Sequence, residues 1–420
     1  MTITTAQTLD ASGIPSGQSL RALDGVNFFV AGALAGFGPF VAVVLGAQGW
    51  SQERIGIALS AGGIAGLLAQ LPGGELLDVV RSKRLLVAAG TVMVGGGALI
   101  IALWPEFIPV SAALMLQGIT GGFLGPGIAS ISLGLVGHRM LSERLGRNQR
   151  FKSTGSLVAA GIFGFLGYFL SNRDILLTTA ILVLPALIAL ARIRAGDIHF
   201  GRSCGAPDHH LSTQPARIRR RSLWKNRYLL IFAGCLFLFQ IVDASILPLI
   251  GGNLAHSGGR GSALIVSGLV IVPQIVVALG APWAGRQAKT WGRRPLLIIG
   301  FGALPIRVLL FALITNPALL ATAQILDGVS GTVLGVLQAL IIADLTNGTG
   351  RFNLAQGFVG VVSGIGASIS TTLFGVVAQS FGGAAGFLVM ALIGSVAVVI
   401  VWLFMPETKH ATRDPTQHGQ

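Results

Sequence analysis

Three ionisable side chains interrupt stretches that are otherwise apolar: Asp243 in FLFQIVDASILP, Arg307 in GALPIRVLL and Asp327 in QILDGVSG. A charge in such surroundings is costly, so its default reading is functional. Asp243 is the sharpest case. A lone carboxylate there can exchange a proton as its access to water alternates, and Gln240 stands about one helical turn away. The competing reading of Asp243 is a solvated group near the outer surface. Arg307 and Asp327 are candidates for an ion pair, structural or gating. Asn27, Gln117, Gln240, Gln274 and Gln338 are candidates to hydrogen-bond a bound solute, although a glutamine in a helix can equally satisfy backbone. Asp24 fits a helix-start cap.

Charge also concentrates in GGELLDVVRSKR, residues 73 to 84, where Glu75 and Asp78 stand beside Arg81, Lys83 and Arg84. A second stretch, AGRQAKTWGRRPLL from 284 to 297, echoes it with Gly285, Lys289, Gly292, Arg293 and Arg294. Glycines 73 and 74 allow close approach of a neighbouring helix. Asp78 can act as a latch, held by the basic residues of its own loop or by a nearby helix N-terminus.

The elements that carry these groups follow from composition. The chain has 420 residues, 52% hydrophobic and only 10% charged, against about 25% charged for a soluble domain. Its apolar runs approach 20 residues and do not alternate, which predicts membrane-spanning helices rather than barrel strands. Twelve such runs are expected, near 23–46, 55–78, 85–104, 108–136, 152–171, 175–192, 228–250, 262–283, 295–315, 318–343, 354–379 and 384–405. A kink is expected in the fourth, at Gly125-Pro126-Gly127. With the N-terminus placed in the cytoplasm, most of the 29 basic residues fall on the cytoplasmic side, including those from Arg139 to Lys152. Both ends are therefore expected inside. The net charge of +14 then reports topology and requires no nucleic-acid partner. The N-terminal segment lacks a basic n-region and is not read as a cleaved signal.

The expected organisation is a cytoplasmic tail (1–22), a six-helix bundle (23–192), a basic cytoplasmic linker (193–227), a second six-helix bundle (228–405) and a cytoplasmic tail (406–420). The linker reads as passive, its Arg cluster suited to anionic lipid. His209-His210 is weak evidence for metal, because no ligand spacing accompanies it. Cys204 in the linker and Cys235 in an apolar run are not expected to pair. The halves echo each other: LMLQGITGGFLGP (114–126) matches QILDGVSGTVLGV (324–336) at an offset of 210, which places Gly118, Gly121 and Gly125 on Gly328, Gly331 and Gly335. A parallel repeat of six helices is the plan of many secondary transporters, with a site between halves near the midplane. Depth supports the ion pair. Arg307 lies about 18 Å into its span and Asp327 about 14 Å into the next at 1.5 Å per residue, nearly level in a core of about 30 Å.

Together, the six-plus-six pattern, the basic central loop and the repeated charged loop resemble the major facilitator superfamily over nearly the whole chain. That family's loop motif, roughly G-x-x-x-D-x-x-G-[RK]-[RK], is met by Gly74, Asp78 and Lys83, with Arg84 adjacent and Arg81 in place of the second glycine. The second copy keeps Gly285, Gly292, Arg293 and Arg294 but has Lys289 for the acid. GRNQRF (146–151) and GTGRFNLAQG (348–357) resemble the drug/proton antiporter-like branch. Two features depart from it: Leu114 stands where that branch often has an arginine, and the fifth span lacks the Gly-Pro pair. The resemblance implies an all-α fold of two six-helix bundles, with spans one, four, seven and ten lining a cavity and the glycine-rich spans five and eleven in contact. It implies alternating access, a small-molecule substrate, protons and membrane lipids as partners, a monomer in a bacterial inner membrane, and no cofactor.

The leading expectation is proton-coupled efflux of a drug-like or metabolite compound. The alternative is proton-coupled uptake of a small metabolite, with Arg307 serving an anion. A non-transporting scaffold or receptor is disfavoured by short outer loops. An enzyme is disfavoured because no nucleophile–base pair, metal spacing or phosphate-binding loop is visible.

Overall fold

The computed structural model describes residues 15–37, 41, 44–46, 48–169, 172–206, 226–256, 262–313 and 317–409; His209-His210 lies outside them. These residues form α1 (Gly17–Ala35), α2 (Gln52–Val79), α3 (Lys83–Leu103), α4 (Phe107–Phe169), α5 (Asn172–Ala191), a one-turn α6 (Phe200–Ser203), α7 (Arg227–His256), α8 (Ser262–Thr290), α9 (Arg294–Leu313), α10 (Pro317–Leu345), α11 (Phe352–Phe381) and α12 (Gly383–Phe404). Backbone groups in hydrocarbon must be satisfied within the chain, and helices do this segment by segment. Nine helices among the described residues are long and apolar enough to cross a membrane. The twelve expected runs fall on eleven long helices, because the fourth and fifth share α4.

Local chemistry sets the ends. Ser16 caps α1, its hydroxyl accepting from the Ser19 N–H at 3.3 Å, and Ser51 does the same for α2 through Arg54. Asp24 is therefore not a cap, since the helix begins seven residues earlier. Pro126 of Gly125-Pro126-Gly127 lies inside α4. The non-helical residue of α4 is Gly137, at φ 64° and ψ 178°, angles open only to glycine.

Buried apolar side chains gather in two large clusters. One runs from Ala22 to Ile193. The other lies mainly between Leu229 and Met405 and takes in Leu133, Leu141 and Leu145 of α4. Across the halves, α2 packs on α11 and the second part of α4 packs on α8. The glycines of α11 press on α2 and α7: a Cβ at Gly360 would meet Gln70, and one at Gly366 would meet Phe237. Expected contact between spans five and eleven is thus minor: α11 packs on α2 and α7, while a Cβ at Gly161 or Gly164 of span five would meet nothing within 4 Å.

Candidate functional site

A cavity of about 360 Å³ lies between the halves, lined by residues of α1, α2, α4, α10 and α11. Its polar lining is Asn27, Gln70, Asn148, Gln149, Lys152, Gln338 and Gln356. The size falls within the range of small-molecule sites, about 300–1,000 Å³. Gly335 of α10 makes room for Gln149, since a Cβ there would stand 2.6 Å from its amide carbon. Gln70 Oε1 and Gln356 Nε2 are buried with no hydrogen-bond partner among the described residues. Of the expected solute-binding residues, Asn27 and Gln338 line this cavity. Asn27 also ties its amide to the Leu23 carbonyl at 2.8 Å. Gln117 lines a second cavity of about 310 Å³ between α2, α4 and α11, while Gln240 and Gln274 line neither.

The interior charges of the second half form a triad. Arg307, 1% exposed, donates from Nη1 to Asp243 Oδ1 and to Asp327 Oδ1, each at 2.7 Å. The pair expected from depth is present. Asp243 is not a lone carboxylate, however, because α7 passes close enough to share the same guanidinium. None of the three lines the cavity between the halves.

In the first half, Asp24 is held by Arg144 and Arg147, each at 2.6 Å. Arg144 also donates to Asn148 Oδ1 at 2.8 Å, and Asn148 donates to Ser132 at 2.7 Å. Arg144 and Lys152 both lie on the second part of α4, Arg144 buried and Lys152 exposed to the cavity.

At the end of the bundle that carries the linker, the halves are bonded together. Asp78, at the end of α2, accepts from the N–H groups of Asn353 (3.2 Å) and Leu354 (2.9 Å) and from Asn353 Nδ2 (2.8 Å). The two backbone N–H groups are orphan donors of the first turn of α11, where a carboxylate is favoured. Gly74 makes the approach possible: a Cβ there would stand 2.5 Å from the Asn353 carbonyl. Arg81 is exposed. Lys83 is buried, 3.5 Å from Cys204 Sγ and over the Phe200 ring, and Arg84 donates to the Ile193 carbonyl.

The start of the linker is thus not passive. Ser203 accepts at its carbonyl from Ser130 of α4 at 2.8 Å, and Cys204 accepts from the Phe352 N–H at 3.1 Å. Burial pushes the Cys204 thiol above its ordinary value. Cys204 and Cys235 are both free.

The echo loop is wired differently. Lys289 reaches Glu143 of α4 at 2.6 Å. Gly285 packs where a Cβ would meet the Ser142 carbonyl at 2.5 Å, and Gly292 takes φ 97° in the turn. Arg293 pairs with Asp344 at 2.9 Å, and the N–H groups of Arg293 and Arg294 both donate to Glu407.

Comparison with known proteins decides what this architecture is. The model of the Major Facilitator Superfamily matches residues 23–273 and 244–420. The chain belongs to the major facilitator superfamily. An uncharacterized MFS-type transporter of Mycobacterium tuberculosis is 34% identical over 92% of this chain and 93% of its own length. The multi-drug resistance efflux pump PmrA of Streptococcus pneumoniae is 23% identical over 75% of this chain and 78% of its own. Among solved structures, the proton:xylose symporter XylE superposes with a TM-score of 0.70 at 14% identity, covering 93% of this chain and 95% of that one. This last likeness concerns the fold.

For this superfamily member, sequence reasoning missed Gln70, Asn148, Gln149, Lys152 and Gln356 in the cavity, and the Asp24–Arg144–Arg147 cluster. One signal was available. Arg144, Asn148 and Lys152 recur at intervals of four in a span-length helix, which places them on one face.

Proposed function

We propose that this transporter moves a small organic solute by alternating access, as a proton-coupled exporter in a bacterial inner membrane with both termini in the cytoplasm. The observation that carries the reading is the polar cavity between two bundles whose linker-side ends are bonded through Asp78 and the first turn of α11. A site that is closed at one end by breakable polar contacts suits rocking of one half against the other. The excess of basic residues in the linker-side loops supports that end as cytoplasmic. The efflux named for the pneumococcal relative supports export.

The triad supports proton coupling. Two carboxylates on one guanidinium leave one negative charge in excess, so a proton can be taken up while one ion pair remains. Anion binding at Arg307 is disfavoured for the same reason, since its Nη1 already serves both carboxylates. The test is solute flux driven by a pH gradient in proteoliposomes. Asp327→Asn and Asp243→Asn are expected to lose dependence on the gradient while retaining exchange. Full gradient-driven transport by both variants would remove the triad from the coupling mechanism. Arg307→Ala leaves two carboxylates without their cation and is expected to lose about 3–5 kcal/mol of stability, read as a large drop in melting temperature.

A further inference from the structure

Among the described residues Lys152 has no counterion. It lies on the second part of α4, and its side chain is accessible within the cavity although protein surrounds it. It makes no hydrogen bond or ion pair with any described residue. Every other polar side chain of the cavity lining is an uncharged amide. Asp24 of α1 is already held by Arg144 and Arg147. The Lys152 ammonium is exposed to the cavity, and a lone cation there favours an anionic occupant, because the low-dielectric walls of a cleft focus its field.

Resting on the transporter reading, we propose that the solute carries an anionic group, such as a carboxylate or sulfonate, and that Lys152 is its recognition residue. Gln149, Gln338 and Gln356 flank it from α4, α10 and α11. The unpartnered Gln356 Nε2 supplies a donor from the opposite half. A ligand that bridges Lys152 and Gln356 touches both bundles, so binding is coupled to their relative position. The glycine and aliphatic part of the lining, including Gly121, Gly125 and Leu334, suits an apolar body. The ligand class is therefore an amphipathic organic anion.

Two probes with the same body and opposite charge test this: 1-naphthalenesulfonate and 1-naphthylmethylammonium, titrated calorimetrically into the full-length protein in neutral-lipid nanodiscs. The sulfonate is expected to bind at least tenfold more tightly than the ammonium. Lys152→Gln is expected to weaken sulfonate binding tenfold or more, leave ammonium binding unchanged and melt no lower than the natural protein. Lys152→Arg is expected to retain sulfonate affinity within about threefold. The proposal is overturned if neither probe binds, if the two bind equally, or if Lys152→Gln keeps its sulfonate affinity. A variant that keeps that affinity but loses response to a pH gradient would make Lys152 a proton carrier instead. Transport of naphthylmethylammonium in preference to the sulfonate, by the natural protein and by Lys152→Gln alike, would overturn the anion while leaving the transporter reading intact.

Discussion

The two charged loops come from one repeated pattern, yet they join the halves by opposite means. In the first, Asp78 turns a carboxylate onto the start of α11 and accepts three hydrogen bonds, against Asn353, which is fully buried. In the second, the residue at the equivalent place is Lys289, and it reaches a carboxylate, Glu143, on α4. Side chains of that pair are 33% and 40% exposed. Both contacts cross between the halves at the same end. The difference teaches that a repeat preserves where a contact is made while leaving its polarity and energy free. An exposed ion pair contributes about 0–1 kcal/mol. Charge-assisted bonds to buried donors are worth more, and breaking them leaves orphan N–H groups behind.

Removing the larger contact is the strongest way to break the comparison. Asp78→Ala is expected to shift the balance away from the closed linker-side end by about 2 kcal/mol, roughly thirtyfold in population, and to reduce transport more than Asp78→Asn does. Cross-linking or distance measurements between α2 and α11 would report the shift. Transport that survives Asp78→Ala unchanged would deny the latch.

Cys204 gives an intermediate readout, because it sits between Lys83 and the start of α11. Its thiol is raised by burial, so at neutral pH the folded protein carries less thiolate than a free cysteine. The deficit persists until pH passes the raised value. Maleimide labelling at Cys204 is therefore expected to be slow in the natural protein and several-fold faster in Asp78→Ala. Equal rates would mean that the linker turn stays seated when the latch is lost.

The smallest effect belongs to the second loop. Lys289→Asn is expected to change transport by less than about fivefold, in keeping with a pair worth about 1 kcal/mol or less, and high salt should mimic it. Exchanging the charges, as Lys289→Glu with Glu143→Lys, should restore what either single reversal loses. If Lys289→Asn proves more damaging than Asp78→Asn, the ranking of the two contacts is reversed.

Much of this was legible before any coordinates. Hydropathy is a local property, so GGELLDVVRSKR and its echo could be placed at helix ends and the apolar runs between them as spans. Depth along a helix is also local, at a fixed rise per residue, and it brought Arg307 level with Asp327. The latch was legible as a type of contact, since a carboxylate in a loop full of cations has few other uses.

What the sequence by itself determined is therefore the class, the repeat, and the height of each charge along its helix. Only the tertiary structure decided which way each helix faces. A helix bounded by lipid on one side and by apolar neighbours on the other shows little amphipathic pattern, so its rotation is set by packing rather than by local sequence. That rotation turned Asp243 toward Arg307 and Asp24 toward Arg144. The same rotation carried Lys152 out of the count of loop cations and into the space between the two bundles.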